Sequence, residues 1–120
     1  MPDGKICYVE IPAADVDVAA GFYAEVFAWN IRVRGDGQRA FDDATGAVSG
    51  SWVLGRAPSR DPGMVMYVMV DSIDATLLKV VSAGGQVATP LTLLSAEGEA
   101  FATFLDPTGN LLGLYQERRS

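Results

Sequence analysis

The chain has 120 residues, 49% of them hydrophobic and 20% charged, which suits one compact domain with a substantial core. Its net charge of −6 would repel phosphate backbones, so nucleic acid is excluded as an expected partner. The chain has no histidine, the commonest transition-metal ligand and the usual general base at neutral pH. Histidine-containing zinc sites, the two-histidine-one-carboxylate iron site and Ser-His-Asp triads are therefore excluded.

The N-terminal sequence and the cysteine content predict the compartment. No apolar run approaches the roughly 20 residues that a membrane span needs. Asp3 and Glu10 interrupt the apolar core that a signal peptide requires. The single Cys7 cannot form an intramolecular disulfide, and we expect it to be a buried residue of the first strand. We therefore expect a cytoplasmic protein without a membrane partner.

The first half of the chain predicts a strand, a helix and three more strands. Alternation places Tyr8 and Glu10 on one face of the first strand, and Val9 and Ile11 on the other. Asp15 is a natural N-cap for the helix that follows. The helix has its predicted core face at Ala19, Phe22, Tyr23, Val26 and Phe27. In chain order, the elements are a strand over 6–11, a helix over 16–27, and strands over 29–33, 39–42 and 47–54.

The second half repeats this plan after a Pro-rich and Gly-rich linker over 55–63. A helix capped by Asp71 or Asp74 runs to about residue 83, where Gly84 and Gly85 end it. Strands are predicted over 64–70, 87–91, 100–105 and 111–116. The segments CYVEI and MYVMV match in pattern. We therefore expect two β-α-β-β-β modules, over about 5–55 and 63–117, within one domain covering 1–120.

Three segments also carry a family resemblance: IPAADVDVAAGFYAEVFAW, VDSIDATLLKVVSAGG and FLDPTGNLLGLYQ. In this order and spacing they resemble the vicinal-oxygen-chelate superfamily, which includes glyoxalase I, bleomycin and fosfomycin resistance proteins and extradiol dioxygenases. The resemblance implies an α+β fold in which two tandem βαβββ modules form a curled mixed sheet around a cavity. It also implies a homodimer.

In metal-using members of that superfamily, four side chains facing the cavity bind one divalent ion. The resemblance aligns Tyr8, Val65 and Gly113 with three of these ligands and places the remaining one near residues 49–51. Valine and glycine have no donor side chain, and tyrosine and serine are poor ligands for these ions. We therefore expect no metal and no cofactor.

Gly113 lies at the centre of an apolar strand and has two interpretations. In the resemblance it stands where a metal-binding glutamate would project, and its missing side chain leaves room for a ligand. Alternatively, it allows a bulge or a close strand approach in a curved sheet. The two interpretations are compatible.

The predicted cavity wall is aromatic and apolar with a few polar groups, as is usual for a small-molecule pocket. Glu10 is costly to bury alone. It can bind a cationic ligand, act as a general base, pair with Arg32, Arg34 or Arg39, or reach solvent at the strand end. Met69 and Leu111 are expected to fill the core. The predicted ligand-binding residues are Tyr8, Glu10, Trp52 or its neighbours, Val65, Tyr67, Gly113 and Tyr115.

These observations predict a metal-independent small-molecule binding protein, similar to the bleomycin-resistance branch, that sequesters an aromatic or cationic compound. No catalytic residue is assigned, and the missing ligands argue against an enzyme. Two alternatives remain open. The first is a glyoxalase-like, metal-dependent lyase, isomerase or dioxygenase. The second is a degenerate module with a structural or interaction role.

Overall fold

The computed structural model describes residues 3–118, which divide after Ala57 into two compact units. Each unit consists of one helix and one four-stranded mixed sheet, so the predicted α+β class and the two βαβββ modules are confirmed. No described helix is long and apolar enough to cross a membrane. The elements are β1 (Tyr8–Pro12), α1 (Val16–Phe27), β2 (Asn30–Val33), β3 (Arg39–Asp42), β4 (Ser49–Val53), β5 (Tyr67–Met69), α2 (Ile73–Ser82), β6 (Gln86–Leu93), β7 (Ala100–Leu105) and β8 (Leu111–Gln116).

The two sheets share one topology. Their strand orders are β1-β4-β3-β2 and β5-β8-β7-β6. In each sheet the first strand pairs in parallel with the last, and the other pairs are antiparallel. The parallel registers set Tyr8 opposite Ser49 and Tyr67 opposite Gly113. Tyr8 and Tyr67 therefore occupy equivalent positions in the two sheets.

The core of the first unit is a group of stacked aromatic rings. Tyr23 of α1 lies 4.7 Å from Trp29 between ring centroids, and Trp29 lies 4.5 Å from Phe41. These separations are typical of favourable aromatic pairs. Asp15 caps α1 as predicted, because its carboxylate accepts a hydrogen bond from the Val18 amide at 3.1 Å. The helix ends at Ala28, whose φ of 58° is left-handed.

The core of the second unit is mostly aliphatic. Ile73 and Val80 of α2 are fully buried, and so are Phe104 and Leu114 of the sheet. The predicted caps of α2, Asp71 and Asp74, are wrong. The hydroxyl of Ser72 accepts the Ala75 amide instead, and Asp74 lies in the first turn, where a carboxylate is stabilised by the helix dipole.

Each unit closes its last hairpin with the same turn. In the β3–β4 turn the Gly46 amide donates to the Asp43 carbonyl at 2.9 Å, and in the β7–β8 turn Gly109 donates to Asp106 at 2.9 Å. Both glycines have a positive φ, 75° and 108°, which other residues rarely adopt. The letters DATG and DPTG at these turns are a second trace of the repeat.

Two further predicted features differ from the structure. Cys7 is exposed, because it precedes β1 while α1 packs over β2, β3 and β4. The strand predicted over 64–70 is only three residues long, Tyr67–Met69, and pairs with β8 alone. Val65 therefore lies in the segment before β5 and is exposed.

Candidate functional site

The face of the first sheet opposite α1 is polar, and we call it the first open face. Register and alternation put Tyr8, Glu10, Arg32, Asp42, Ser49 and Ser51 on it. Arg32 forms a two-point contact with Asp42, at 2.9 and 3.1 Å, and the Ser49 hydroxyl donates to the same carboxylate at 2.6 Å. The hydrogen bond from Arg32, then that from Ser49, lowers the pKa of Asp42 well below its usual range.

The two predicted ligand-binding residues on β1 are both engaged by arginine. The guanidinium of Arg34 donates to the Tyr8 hydroxyl at 3.2 Å. Arg56 pairs with Glu10 at 2.7 Å, and this is none of the three arginines considered as possible partners, Arg32, Arg34 and Arg39. Arg32 is held by Asp42 instead, and Arg39 pairs with Asp17 of α1. The side chain of Glu10 is 45% exposed, so it also reaches solvent.

Trp52, the predicted ligand residue of β4, faces α1 instead of the first open face. Its ring centroid is 4.9 Å from that of Phe41, and the residue is only 3% exposed. Its neighbour Ser51 lies on the first open face. The indole N–H of Trp52 has no hydrogen-bond partner among the described residues.

The corresponding face of the second sheet, the second open face, is aromatic. Tyr67 lies across Gly113, and a Cβ atom built on Gly113 would sit 2.3 Å from the Tyr67 ring. The space left by the glycine is therefore taken by an aromatic ring from the adjacent strand, a known way to stabilise glycine in a sheet. Tyr67 remains 51% exposed. Met69 beside it is 61% exposed, so the expectation that it fills the core is wrong.

Tyr115, the last predicted ligand residue, also lies on the second open face, where its register partner on β5 is Met69. Its hydroxyl donates to the carboxylate of Glu99, and this hydrogen bond raises the pKa of Tyr115. Leu111 is half-buried on the same strand.

A pocket of about 430 Å³ lies at the ends of β5 and β8. Met69, Asp71, Glu117 and Arg118 line it. The pocket thus joins two carboxylates to an exposed side chain of the second open face.

The residues aligned with the family's metal ligands do not fit a metal ion. Val65 and Gly113 offer no side-chain donor, and Gly113 is covered by Tyr67. Tyr8 receives a hydrogen bond from a cationic guanidinium, which disfavours a second cation at that oxygen. Between residues 3 and 118, no three Cys, Asp or Glu side chains are grouped closely enough to hold an ion.

Comparison with known proteins decides the family. Residues 5–114 match the profile of the Glyoxalase/Bleomycin resistance protein/Dioxygenase superfamily. The chain belongs to this superfamily. The member "Putative glyoxylase CFP32" of Mycobacterium tuberculosis is 33% identical over 93% of this chain and 45% of its own length. This chain therefore spans less than half of that relative. A "Glyoxylase-like domain-containing protein" of Didymella fabae is 28% identical, with 89% of each chain covered.

Solved structures agree on the superfamily fold. The fosfomycin resistance protein FosX of Listeria monocytogenes superposes with a TM-score of 0.77 at 16% identity, covering 98% of this chain and 93% of FosX. A superfamily member from Sphaerobacter thermophilus gives a TM-score of 0.75 at 18% identity, over 95% and 98% of the two chains. At these identities the likeness concerns the fold alone.

The predicted residues therefore fall into two groups within the superfamily fold. Tyr67, Gly113 and Tyr115 lie together on the second open face, whereas Tyr8 and Glu10 lie on the first open face among arginines. Trp52 and Val65 belong to neither group. Sequence reasoning missed the roles of Arg34 and Arg56, because each depends on a contact between segments far apart in the chain.

Proposed function

We propose that the protein binds a small aromatic or cationic molecule without a metal ion and without transforming it. The observation that carries this proposal is the half-exposed Tyr67 ring in close contact with Gly113, beside the exposed Met69. An aromatic ring held on one side by a glycine presents its other side for stacking. Val65 and Gly113, at two of the positions aligned with metal ligands, also have no side-chain donor.

The second open face offers complementary contacts for such a molecule. Tyr67 provides a π-face for an aromatic ring or a cation. The thioether of Met69 adapts to irregular apolar shapes. Asp71 and Glu117 line the adjoining pocket together with Arg118, so the lining has a net negative charge that favours a positive group. The net charge of −6 would raise the local concentration of a cationic ligand.

The names of the relatives favour a second candidate, a glyoxalase-like enzyme that uses a divalent metal. That candidate requires metal-binding side chains, whereas Val65 and Gly113 offer no side-chain donor and Tyr8 offers only a phenol, a poor ligand for these ions. The two candidates differ in one measurable respect, since the enzyme would depend on a bound metal and the binding protein would not.

Calorimetric titration of chelator-treated protein separates them. The probe is benzyltrimethylammonium, which is both aromatic and cationic, and neutral benzyl alcohol is the matched comparison. We expect saturable binding of the cation with a dissociation constant below about 1 mM. Added nickel, zinc, manganese or iron should not change that constant.

Two results would reject the proposal. One is the absence of saturable heat for aromatic and cationic probes. The other is stoichiometric metal retained after dialysis, with catalysis that disappears on chelation. The latter result would establish the metal-dependent candidate.

We also infer that the protein forms a homodimer, as the family resemblance implies, and that it is located in the cytoplasm. Sedimentation equilibrium at micromolar concentration tests the first, with a mass of twice 12.7 kDa as the expected result. Fractionation of the source cells tests the second.

A further inference from the structure

We propose that a pocket on the first open face binds the carboxylate of a small organic acid whose body is apolar. The pocket measures about 280 Å³. Its lining residues are Arg34, Gln38, Ser51, Trp52, Val53 and Leu54. This inference concerns the first unit and does not depend on the function proposed for the second open face.

Ser51 supplies the first argument for a ligand. It is 7% exposed and lines the pocket, and its hydroxyl has no hydrogen-bond partner among residues 3–118. Because Ser51 lines the pocket, a ligand oxygen can replace solvent as the hydrogen-bond partner of its hydroxyl. The nearby Ser49 hydroxyl, by contrast, donates to Asp42.

Arg34 supplies the charge that selects an anion. Its guanidinium contacts the Tyr8 hydroxyl at 3.2 Å and the Asp36 carboxylate at 3.3 Å, and both contacts are longer than typical charge-assisted hydrogen bonds. The side chain is 42% exposed, so these contacts hold it only weakly. A carboxylate accepts the planar guanidinium at two points, which is a stronger arrangement than either existing contact.

The other charges of this face do not compete for the same anion. Arg32 is held at two points by Asp42, and Arg56 is paired with Glu10 at 2.7 Å. Val53, which is half-buried, and Leu54, which is 61% exposed, form an apolar side of the pocket, and Gln38 adds a polar group. The pocket therefore combines an available cation, a free hydroxyl and an apolar wall, which matches an acid with an aliphatic body.

The test uses hexanoate as the probe, with hexylamine and hexanol as matched comparisons of the same chain length. Binding to the full chain is measured by calorimetry and by ligand-observed NMR at neutral pH. We expect hexanoate to bind with a dissociation constant of about 1 mM and at least tenfold more tightly than hexylamine. Equal binding of the three probes, or no saturable binding of hexanoate, would overturn the proposal.

Matched variants locate the site. Arg34→Gln should weaken hexanoate binding about tenfold or more, because charge-assisted hydrogen bonds are lost. Arg39→Gln removes the same charge from the helix-facing side and should change the dissociation constant of hexanoate by less than about twofold. Ser51→Ala should weaken binding about threefold without changing charge, and it serves as a second readout if Arg34→Gln folds poorly. Equal effects of Arg34→Gln and Arg39→Gln would show general charge attraction and reject the site.

Two further variants sharpen the result. Asp36→Asn removes the carboxylate that competes for Arg34 and keeps an oxygen for the Gln38 amide, so it should strengthen hexanoate binding. Tyr67→Ala should leave hexanoate binding unchanged, which separates this site from the one proposed on the second sheet. A loss in Tyr67→Ala as large as that in Arg34→Gln would contradict the assignment to the first unit.

Discussion

The two halves of the chain have the same strand order and the same turn, but most aromatic side chains lie in the core in the first half and on the open face in the second. In the first half the rings of Tyr23, Trp29 and Phe41 fill the core under α1, and the open face carries ion pairs. In the second half the core is mostly aliphatic, and Tyr67 and Tyr115 lie on the open face. A repeated backbone plan thus leaves each face free to acquire its own chemistry.

One glycine in each sheet lies against an aromatic ring of the neighbouring strand. Gly50 faces α1, and a Cβ there would approach the Phe41 ring to 2.4 Å. Gly113 faces away from α2, and a Cβ there would meet the Tyr67 ring at 2.3 Å. Both glycines permit a close cross-strand ring, but only Phe41 is buried, with 2% exposure against 51% for Tyr67.

The largest difference in stability between the halves is expected when these glycines are replaced by alanine. Gly50→Ala also places its Cβ 2.2 Å from the backbone carbonyl oxygen of Val9, which cannot move without breaking β1–β4 pairing. We expect it to lower the free energy of unfolding by about 3 kcal/mol or more. Gly113→Ala meets only a half-exposed ring and should cost about 1 kcal/mol or less. Urea denaturation followed by circular dichroism measures both, and equal losses would show that the two glycines are equivalent.

The paired turns should give the next largest difference. The Asp106 carboxylate is 4% exposed and accepts the amides of Thr108, Gly109 and Asn110 at 2.9–3.0 Å. Asp106→Ala would leave buried donors unpaired and should cost about 2–3 kcal/mol.

Asp43 is the equivalent of Asp106 in the first half, and its turn is more exposed. Asp43 accepts the Ala47 amide at 2.8 Å and the Thr45 hydroxyl, where water can replace the lost acceptor. Asp43→Ala should therefore cost about 1 kcal/mol. Thermal unfolding of both variants decides the order, and a larger loss for Asp43→Ala would contradict the difference in burial.

A smaller change in the free energy of unfolding is expected at acidic pH, and only from the first half of the chain. The contact with Arg32 holds the pKa of Asp42 below its ordinary 3.8, so the carboxylate is charged in folded and unfolded chains at neutral pH and its stabilisation is then complete. That stabilisation is lost as pH falls below 3.8 toward the folded-state pKa. Asp42→Asn should flatten the stability profile in this range.

Asp17→Asn is the matched control for the acid prediction. The Asp17 side chain is 78% exposed and pairs with Arg39, whereas that of Asp42 is 26% exposed. The free energy of unfolding of the three proteins is measured from neutral pH down to about pH 2. An unchanged acid profile in Asp42→Asn would mean that the Arg32 contact does not form in solution.

Much of this architecture was predictable from alternation and turn residues. The strands predicted over 39–42, 100–105 and 111–116 coincide with β3, β7 and β8. The helix predicted over 16–27 coincides with α1, because its apolar period and its cap agree. The strand predicted over 64–70 was too long, since its early residues are apolar but have no helix to cover them.

The sites were harder to predict because they depend on cross-strand register. The position of Tyr67 over Gly113 follows from parallel pairing between segments that are distant in the sequence, and alternation within one strand cannot predict that pairing. Alternation also could not predict which of the two residues faces the helix, because Trp52 and Ser51 are both nearly buried. The pairing of Glu10 with Arg56 depends on the loop after β4, whose course no local pattern specifies.

The most direct test of the account compares Tyr67→Ala with Tyr8→Ala, which remove the same side chain from equivalent positions of the two sheets. Calorimetric titration with benzyltrimethylammonium should show about a tenfold loss of affinity for Tyr67→Ala and less than about twofold for Tyr8→Ala. Equal losses in both variants, or a greater loss in Tyr8→Ala, would contradict the claim that the second open face binds the ligand.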